Sequence, residues 1–285
     1  MSRLIILTPS PDEPRFAMIL DRWVGRLRPP LEAVGFVVDV RPWTDVGSLS
    51  GADTFTPLLA WSYHRDPGAW AALLDRLDRE GVRVANSTDV LRWNTRKTYL
   101  AELEAAGAPI IPTLFVDDVT PAGLAEGHAR FGPEIIVKPQ VSGGSHATVR
   151  HAEGQPLVGG PDGPAMLQPF LPAITGEGEI SLLYFGGAFS HAVAKIARAD
   201  DFRVQFQHGG RYQAITPPPE ALTAGAAVLK AAGCDLAYAR IDLLRGEDGV
   251  LRLMELECIE PDLYLDLAPD GGAAFAAAMA GALGA

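Results

Sequence analysis

Cysteine is scarce in this chain of 285 residues, which contains only Cys234 and Cys258. Two cysteines cannot build a disulfide framework, and their separation matches no metal-binding spacing. Both lie beside apolar residues, where a cysteine is usually a buried thiol. These observations exclude a disulfide-stapled secreted scaffold, and we expect the protein to work in a reducing, cytoplasmic compartment.

Positive charge and long apolar runs are also in short supply. The 24 lysines and arginines face 35 aspartates and glutamates, and the net charge of −11 argues against nucleic acid or an anionic membrane as a partner. A local basic pocket for phosphates remains compatible with this balance. The apolar run near the N-terminus is too short for a signal peptide, and the alanine-rich tail is too short to span a bilayer. We therefore expect no membrane partner.

Several well-known catalytic motifs are missing. The chain has no Gly-x-x-x-x-Gly-Lys-Ser/Thr loop, no Gly-x-Gly-x-x-Gly after its first predicted strand and no Gly-x-Ser-x-Gly. These absences exclude a Walker A site, leave a Rossmann cofactor site unsupported and remove the usual argument for a serine nucleophile. The six histidines show no metal-binding pattern, and only His208, beside two glycines, stands out among them.

The length and the 48% hydrophobic content are sufficient for a large core and two or three lobes. Strands and helices alternate in the first ninety residues, which predicts a parallel α/β lobe over residues 1–90. The predicted strands are Leu4–Leu7, Phe36–Val40, Phe55–Trp61 and Val82–Ala85, and the predicted helices are Arg15–Leu31, ended or kinked by Pro29 and Pro30, and Pro67–Arg79.

The rest of the chain predicts two further lobes, residues 91–171 and 172–285. Asn94 is a residue type favoured at a helix N-cap, and Gly107 is one favoured where a helix ends. Together they predict a helix from Asn94 to about Ala106. Further predicted helices are Pro121–Arg130, Pro219–Ala232 and a terminal helix after Gly271; further predicted strands are Thr113–Val116, Ile135–Lys138, Thr148–His151, Ile180–Phe185 and Ala188–Lys195. Residues 200–213 are polar and predict a functional loop.

A β-hairpin between Tyr238 and Tyr264 carries the most informative charges. Two apolar, alternating runs flank a Gly/Asp turn, and alternate side chains of a strand share a face. Arg240 and Asp242 therefore share a face of one strand, as Glu255 and Glu257 do on the other. Clustered carboxylates are costly unless a cation joins them, which indicates a metal–nucleotide site. The alternative is an edge hairpin with solvated charges.

Cations and a glycine-rich loop precede this hairpin. Lys97 lies in the first turn of the predicted Asn94 helix, where a bound phosphate would be favoured. Lys138 ends an apolar strand and is followed by Ser142, Gly143, Gly144 and Ser145, whose backbone amides can approach a phosphate closely. The alternatives are a solvated helix face for Lys97, and a gatekeeper lysine with a plain turn for Lys138.

Other residues could contact a nucleotide or an anionic substrate. Glu179, at a strand start, can accept hydrogen bonds from sugar hydroxyls, and the apolar edge Met166–Leu171 can offer backbone groups to a purine. Lys195 and Arg203 could hold an anionic group, although a surface role is an equal alternative for both.

Taken in this order, the residues from about Leu91 to Tyr264 resemble the ATP-grasp superfamily of carboxylate–amine ligases. The resemblance implies an α/β (α+β) ATP-grasp fold in which an N-terminal parallel α/β lobe precedes two α+β lobes that sandwich the nucleotide. The implied ATP-binding residues are Lys97, Lys138, Ser142, Gly143, Gly144, Ser145, Gln168, Phe170, Leu171 and Glu179. The implied ligands for one or two Mg²⁺ ions are Asp242, Glu255 and Glu257, and the implied catalytic residues are Arg240 and Lys138. The usual family motif ends in Glu-x-Asn, whereas this chain has Glu255-Leu-Glu257.

Within the superfamily, the chain is most similar to the glutathione-synthetase-like group. The segments Phe-Ser-His-Ala-Val, Asp-Phe-Arg-Val-Gln and Glu-Pro-Asp-Leu-Tyr-Leu resemble the O-ureido-serine cyclo-ligases of cycloserine biosynthesis. This implies an ADP-forming ligase that activates a small, amino-acid-like carboxylate as an acyl phosphate and joins it to nitrogen of the same molecule. The alternatives are an intermolecular amino-acid or peptide ligase of the glutathione-synthetase or RimK-like type, and a non-catalytic ATP-binding protein.

Substrate selection is the least determined property of the sequence. Its candidates lie in the N-terminal lobe (Trp61, Tyr63 and His64) and in the polar loop (Arg203, Gln205, Gly209 and Gly210). We expect a small-molecule carboxylate as the partner, and relatives in this superfamily make a homo-oligomer possible.

Overall fold

The first ninety residues form a parallel sheet with helices. The computed structural model describes residues 2–198, 202–204 and 209–284. Strands β1 (Arg3–Thr8), β2 (Val37–Pro42), β3 (Asp53–Thr56) and β4 (Arg83–Val84) make one parallel sheet in the order β2-β1-β3-β4. Helices α1 (Pro14–Ala33) and α2 (Pro67–Arg79) connect these strands. The predicted alternation of strands and helices is confirmed.

Two predicted boundaries in this region are wrong. Pro29 and Pro30 lie inside α1, which continues to Ala33 because Leu27 and Leu31 are both buried and hold the last turns on the core. Strand β3 ends at Thr56 instead of Trp61, because Pro57 has no N–H to donate to a neighbouring strand.

The predicted helix from Asn94 is also wrong. Helix α3 (Thr88–Thr95) already contains Asn94, and it begins at Ser87, whose side chain accepts a hydrogen bond from the Val90 N–H. Extended backbone at Arg96 interrupts the helix before α4 (Tyr99–Ala105), and Lys97 lies in that break. Asn94 resembles a cap in sequence, but its amide is buried and binds strand backbone instead.

A small antiparallel sheet follows. Strands β5 (Leu114–Val116), β6 (Glu134–Pro139), β7 (Val149–Ala152) and β8 (Ala165–Pro169) lie in the order β5-β8-β6-β7. Helix α5 (Pro121–Phe131) begins as predicted, with Thr120 accepting from the Gly123 N–H. This sheet has a small core of its own around Ile135, Val137 and Leu167.

The third sheet is antiparallel and holds five strands in the order β11-β10-β9-β12-β13. They are β9 (Glu179–Phe185), β10 (Ala188–Ile196), β11 (Arg211–Ile215), β12 (Tyr238–Arg245) and β13 (Leu251–Glu257), accompanied by α6 (Pro219–Ala232) and α7 (Ala273–Leu283). Residues 211–213 were predicted as loop but belong to β11, where Tyr212 pairs with Lys195. The predicted hairpin of β12 and β13 is confirmed.

The two faces of the large sheet pack differently. One face buries Ile180, Leu182 and Ile241 under α4 and α6. The other face contributes Leu183 and Phe185 to a core shared with β1, α1 and α7. That apolar packing covers only one end of the face, and the remaining end is polar. None of the helices within the described ranges combines the length and apolar character needed to cross a bilayer.

Candidate active site

The polar end of the large sheet is produced by strand alternation. Residues two apart on a strand share a face, and cross-strand partners lie side by side. Asp242 pairs with Glu255 on one side and with Ser181 on the other, while Arg240 pairs with Glu257. The polar and charged side chains on this face are Glu179, Ser181, Lys195, Arg240, Asp242, Glu255 and Glu257. The predicted sharing of faces by the hairpin charges is confirmed.

Asp242 is the centre of this cluster and is only 2% exposed. Ser181 Oγ donates to it at 2.6 Å, Lys195 Nζ at 3.0 Å, and the Arg240 guanidinium contacts both carboxylate oxygens at 3.0–3.2 Å. Burial alone would raise the pKa of Asp242, but Arg240 and Lys195 outweigh it and hold this pKa well below its usual range. Asp242 is therefore an anion whose oxygens are already hydrogen-bonded.

Lys195 joins Asp242 to Glu179. Its ammonium donates to the Glu179 carboxylate as well as to Asp242, and both Lys195 and Glu179 are buried. Burial raises the pKa of Glu179 to about 8 against the pull of Lys195. The surface alternative for Lys195 is thus wrong. Glu179 remains a predicted sugar-binding residue. A sugar hydroxyl that binds there would compete with Lys195 for the carboxylate oxygens of Glu179.

Arg240 connects the centre to the end of β13. It donates to Glu257 and, at 3.3 Å, to the backbone oxygen of Asp262, and it lies 5.8 Å from the ring centroid of Tyr264. Burial raises the pKa of Glu257 to about 7, and the neighbouring Glu255 contributes in the same direction despite Arg240. The pKa of Glu257 is therefore raised even though Arg240 donates a hydrogen bond to it.

Both predicted phosphate lysines are buried, so the solvated alternatives for them are wrong. Lys97 Nζ donates to the Ser142 backbone oxygen and to Glu255 Oε1, each at 2.9 Å. Lys138 is 8% exposed. Burial lowers its pKa to about 8, with Lys97 adding to the effect and Glu255 opposing it. Two lysines that repel each other in a dry site favour binding of an anion.

The predicted glycine-rich loop lies against Lys97. The left-handed backbone of Gly144 and of Ser145, with φ of 59° and 60°, gives the loop its tight turn. Gly143 faces two other side chains: a Cβ added there would lie 3.1 Å from His64 Nδ1 and 3.4 Å from Glu260 Oε1. The loop thus brings the N-terminal lobe and the segment after β13 together.

His64 and Glu260 are the important additions to the predicted site. His64 was only a substrate candidate, and Glu260 was not assigned a role. Burial, together with His146, lowers the pKa of His64 to about 4, so its imidazole is neutral. Burial and Glu257 raise the pKa of Glu260 well above its usual range. Two signals could have indicated Glu260: its closeness in sequence to Glu257, and its place at the start of the segment Glu-Pro-Asp-Leu-Tyr-Leu, which resembles the cyclo-ligases.

The end of the predicted purine edge, Phe170 and Leu171, belongs to a hydrophobic cluster. Gln168 is buried and donates to Thr113 Oγ1 at 2.9 Å. The Arg150 guanidinium lies 3.6 Å from the centroid of Phe170. Leu171 packs in a hydrophobic cluster, most members of which were not predicted to lie near the site. The other members are Ile111, Ile174, Ala197, Val204, Leu244, Phe170, Ala173, Phe202 and Met254. This cluster joins the small and large sheets.

The remaining substrate candidates are more scattered. Arg203 is half-buried, Gly209 is exposed with a φ of 83°, and Gly210 is buried. Gln205 and His208 lie outside the described residues. Trp61 packs against Phe16 and Trp23, with ring centroids 5.2 and 5.4 Å away, and Tyr63 is in the N-terminal core.

The predicted metal ligands do not form a ready-made cage. Over the described parts of the chain, no three His, Cys, Asp or Glu side chains are arranged to hold a metal ion by themselves. Glu255 and Glu257 are neighbours on one face of β13, whereas the oxygens of Asp242 are engaged by its cationic neighbours. Such a pair suits Mg²⁺, which is usually held by one or two carboxylates together with substrate phosphates.

Comparison with known proteins identifies relatives that match along nearly the whole chain. Residues 5–86 match the family described as D-cycloserine synthetase DcsG, N-terminal domain. The chain is 30% identical over 281 residues to the cycloserine biosynthesis protein DcsG of Streptomyces lavendulae, covering 88% of this chain and 92% of that protein. The crystal structure of D-cycloserine synthetase DcsG superimposes with a TM-score of 0.83 at 26% identity, covering 99% of both chains. The ATP-grasp ligase PsnB, solved with its minimal precursor, Mg and ADP, matches with a TM-score of 0.64 at 19% identity, covering 98% of this chain and 97% of that one.

The fold and these similarities place the protein in the structural class of the ATP-grasp ligases. Its relatives of the same fold include one solved with Mg and ADP. The similarity to DcsG extends over nearly the whole chain, and it assigns the protein to one family within this class. The chain belongs to the DcsG family of cycloserine biosynthesis ligases.

Proposed function

We propose that this protein is an ATP- and Mg²⁺-dependent cyclo-ligase that converts an O-ureido-serine-type amino acid into cycloserine. The observation that carries the proposal is the similarity to DcsG along 88% of the chain, combined with a buried cluster of the charges that such a reaction needs. The substrate carboxylate would take the γ-phosphoryl group of ATP, releasing ADP. The resulting acyl phosphate would then be attacked by the oxygen-bound nitrogen of the ureido group, which closes the ring and releases phosphate. Hydrolysis of the carbamoyl group left on that nitrogen would release carbon dioxide and ammonia and give cycloserine.

The cationic side chains are suited to hold the phosphates. Lys97 and Lys138 are buried beside the glycine-rich loop Ser142–Ser145, and ATP bound there would add negative charge next to both lysines. The hinge Gln168–Leu171 and the carboxylate of Glu179 would hold the adenine and the ribose. Positioning and electrostatics are the main sources of catalysis in phosphoryl transfer.

The carboxylates at the end of β13 fit a magnesium ion. Burial and the neighbouring Glu255 raise the pKa of Glu257, so a divalent cation would relieve the mutual repulsion of the two carboxylates. Glu255, Glu257 and Asp242 would hold one or two ions, with Asp242 also anchoring Arg240 and Lys195. Mg²⁺ bound there would neutralise charge on the ATP phosphates.

Arg240 is the residue best placed to stabilise the second step. Its guanidinium is buried, is held by Asp242 and Glu257, and faces the polar end of the sheet. It would stabilise negative charge on the acyl phosphate and on the tetrahedral intermediate formed during ring closure. Exclusion of water by the glycine-rich loop would prevent hydrolysis of the acyl phosphate.

The test is to incubate the enzyme with Mg²⁺-ATP and O-ureido-serine, measuring ADP release and product mass. We expect ADP and a cyclic product that contains no second substrate. Glu255→Gln and Lys138→Ala should lower kcat/KM at least 100-fold, while Glu126→Gln, at an exposed glutamate of α5, should not. A linear product that incorporates a second amino acid would identify an intermolecular ligase. ATP binding without ADP release with any carboxylate would identify a non-catalytic protein.

A further inference from the structure

His64 carries a buried polar atom without a partner in the structure. Its Nδ1 is shielded from solvent and makes no hydrogen bond within the described residues. A buried nitrogen without a hydrogen bond is costly, and such groups in folded proteins usually have a function. The imidazole is neutral because its pKa is about 4, owing to burial and to His146. It can therefore accept a hydrogen bond at neutral pH.

The backbone before His64 is bent in a way that directs this side chain towards the active site. Ser62 has a left-handed φ of 69°, an uncommon conformation for serine, and it starts the short 3-10 helix Tyr63–Arg65. Conformations of this kind persist where the surrounding structure imposes them, and they cluster at functional sites. The result is that a side chain of the N-terminal lobe contacts the glycine-rich loop of the small sheet.

A second acceptor converges on the same place. The position that a Cβ on Gly143 would occupy lies 3.1 Å from His64 Nδ1 and 3.4 Å from Glu260 Oε1. Because residue 143 has no side chain, His64 and Glu260 can both lie close to its backbone, and their two hydrogen-bond acceptors approach the same part of the loop. Glu257 and Glu255 add negative charge near Glu260. The surroundings of the two acceptors therefore favour a cationic donor and disfavour an anion such as a carboxylate or a phosphate.

We propose that His64 Nδ1 and Glu260 bind the primary ammonium group of the amino-acid substrate, and that this pair makes the enzyme select amino acids over the corresponding hydroxy acids. The proposal rests on the ligase function proposed above, and it assigns specificity to residues outside the polar face of the sheet. An ammonium group can donate to the imidazole and to the carboxylate at once. A hydroxyl group in its place would leave Glu260 without a counter-charge.

The experiment is calorimetric titration of the full-length enzyme, loaded with a non-hydrolysable ATP analogue and Mg²⁺. The ligands are O-ureido-serine and its analogue with a hydroxyl in place of the α-amine. We expect the wild type to bind the amine at least tenfold more tightly. His64→Ala and Glu260→Gln should each reduce this preference to less than threefold, whereas His64→Gln, which keeps an acceptor, should retain part of it.

Three further measurements keep the outcome interpretable. Circular dichroism and nucleotide affinity should match the wild type in each variant, and Glu126→Gln should keep the full preference for the amine. The proposal is overturned if the wild type binds both ligands equally, or if His64→Ala and Glu260→Gln keep the wild-type preference. ADP release, followed in parallel, reports on the ligase function separately, because amine selection is measured here by binding and not by turnover.

Discussion

At the scale of single residues, the site is defined by an imbalance of buried charge. Six carboxylates (Glu179, Asp242, Glu255, Glu257, Glu260 and Asp262) share the neighbourhood with four cationic side chains (Lys97, Lys138, Lys195 and Arg240). The pKa values of Glu179, Glu257, Glu260 and Asp262 are all raised, with burial as the first cause. Buried charges seldom stabilise a fold by more than they cost to desolvate. The cluster is therefore better explained by the binding of a cation and a nucleotide than by stability.

Lys138 provides a test of this cost. Its pKa of about 8 in the folded protein is lower than the 10.5 of a free lysine, so the unfolded chain binds more protons between these values and stability increases with pH there. We predict that Lys138→Met stabilises the protein by about 1–3 kcal/mol at pH 7, while ligase activity is lost.

Urea denaturation at pH 7 and pH 9.5 measures this effect. The advantage of the methionine variant should be greatest below pH 8 and should decrease as the pH rises towards 10.5, because the wild-type lysine then loses its charge in both states. Greater stability of the wild type at pH 7 would show that Lys138 stabilises the fold.

At the scale of elements, Asn94 connects helix α3 to the end of β13. Its Nδ2 donates to the Leu256 oxygen at 2.8 Å and its Oδ1 accepts from the Cys258 N–H at 2.9 Å, so it holds the backbone on both sides of Glu257. We predict that Asn94→Ala destabilises the protein by about 1–3 kcal/mol, because it leaves the buried Cys258 N–H unpaired and leaves the Leu256 oxygen with only the Tyr99 hydroxyl as a donor. It should also lower ADP release.

Chemical denaturation combined with ADP-release kinetics checks this role of Asn94. Arg96→Ala is the matched control, since Arg96 is exposed and lies only two residues away. A variant at position 94 with wild-type stability would contradict the prediction.

Alanine substitutions at two helical glycines should have opposite effects on the stability of the protein. A Cβ at Gly225 in α6 would lie 2.5 Å from the Tyr184 hydroxyl and 2.8 Å from Leu182 Cδ1, whereas a Cβ at Gly281 in α7 meets no atom within 4 Å. We predict that Gly225→Ala destabilises by about 1–3 kcal/mol through overpacking. Gly281→Ala should stabilise by about 0.5–1 kcal/mol, because alanine favours the helix. Thermal unfolding of both variants tests the pair, and equal effects would contradict it.

The sequence predicts an element correctly where the signal for that element is local. The strands of the hairpin and the cap at Thr120 depend on local periodicity and local hydrogen bonds, and these were predicted. Asn94 and Pro29 were misread because tertiary packing outweighed a local preference. Glu260 could not be assigned, because His64, which approaches the same glycine, is almost two hundred residues away in sequence. The residue types and their spacing therefore indicated the charged residues of the candidate site, whereas the contacts between lobes could not be predicted.

At the scale of the whole molecule, the three sheets have unequal connections. The N-terminal parallel sheet shares one core with the large sheet, through Leu4, Ile6, Phe185 and Phe275. The small sheet keeps a separate core and meets the others mainly through Met166 and the cluster around Leu171. Because the candidate site lies where all three sheets meet, a ligand there would connect parts that otherwise share few core residues.

This arrangement predicts that nucleotide binding stabilises the entire molecule, and that it does so through Mg²⁺. ATP alone adds negative charge to a site that already has an excess of carboxylates, whereas Mg²⁺-ATP supplies the missing positive charge. At about 100 times its Kd, Mg²⁺-ATP should add about 2.7 kcal/mol and raise Tm by about 5 °C. ATP with EDTA should have a much smaller effect. In Glu255→Gln the difference between the two conditions should shrink, because one of the two adjacent carboxylates on β13 is gone, while Glu126→Gln should behave as the wild type. Equal stabilisation by ATP with and without EDTA would show that the carboxylate cluster serves another purpose.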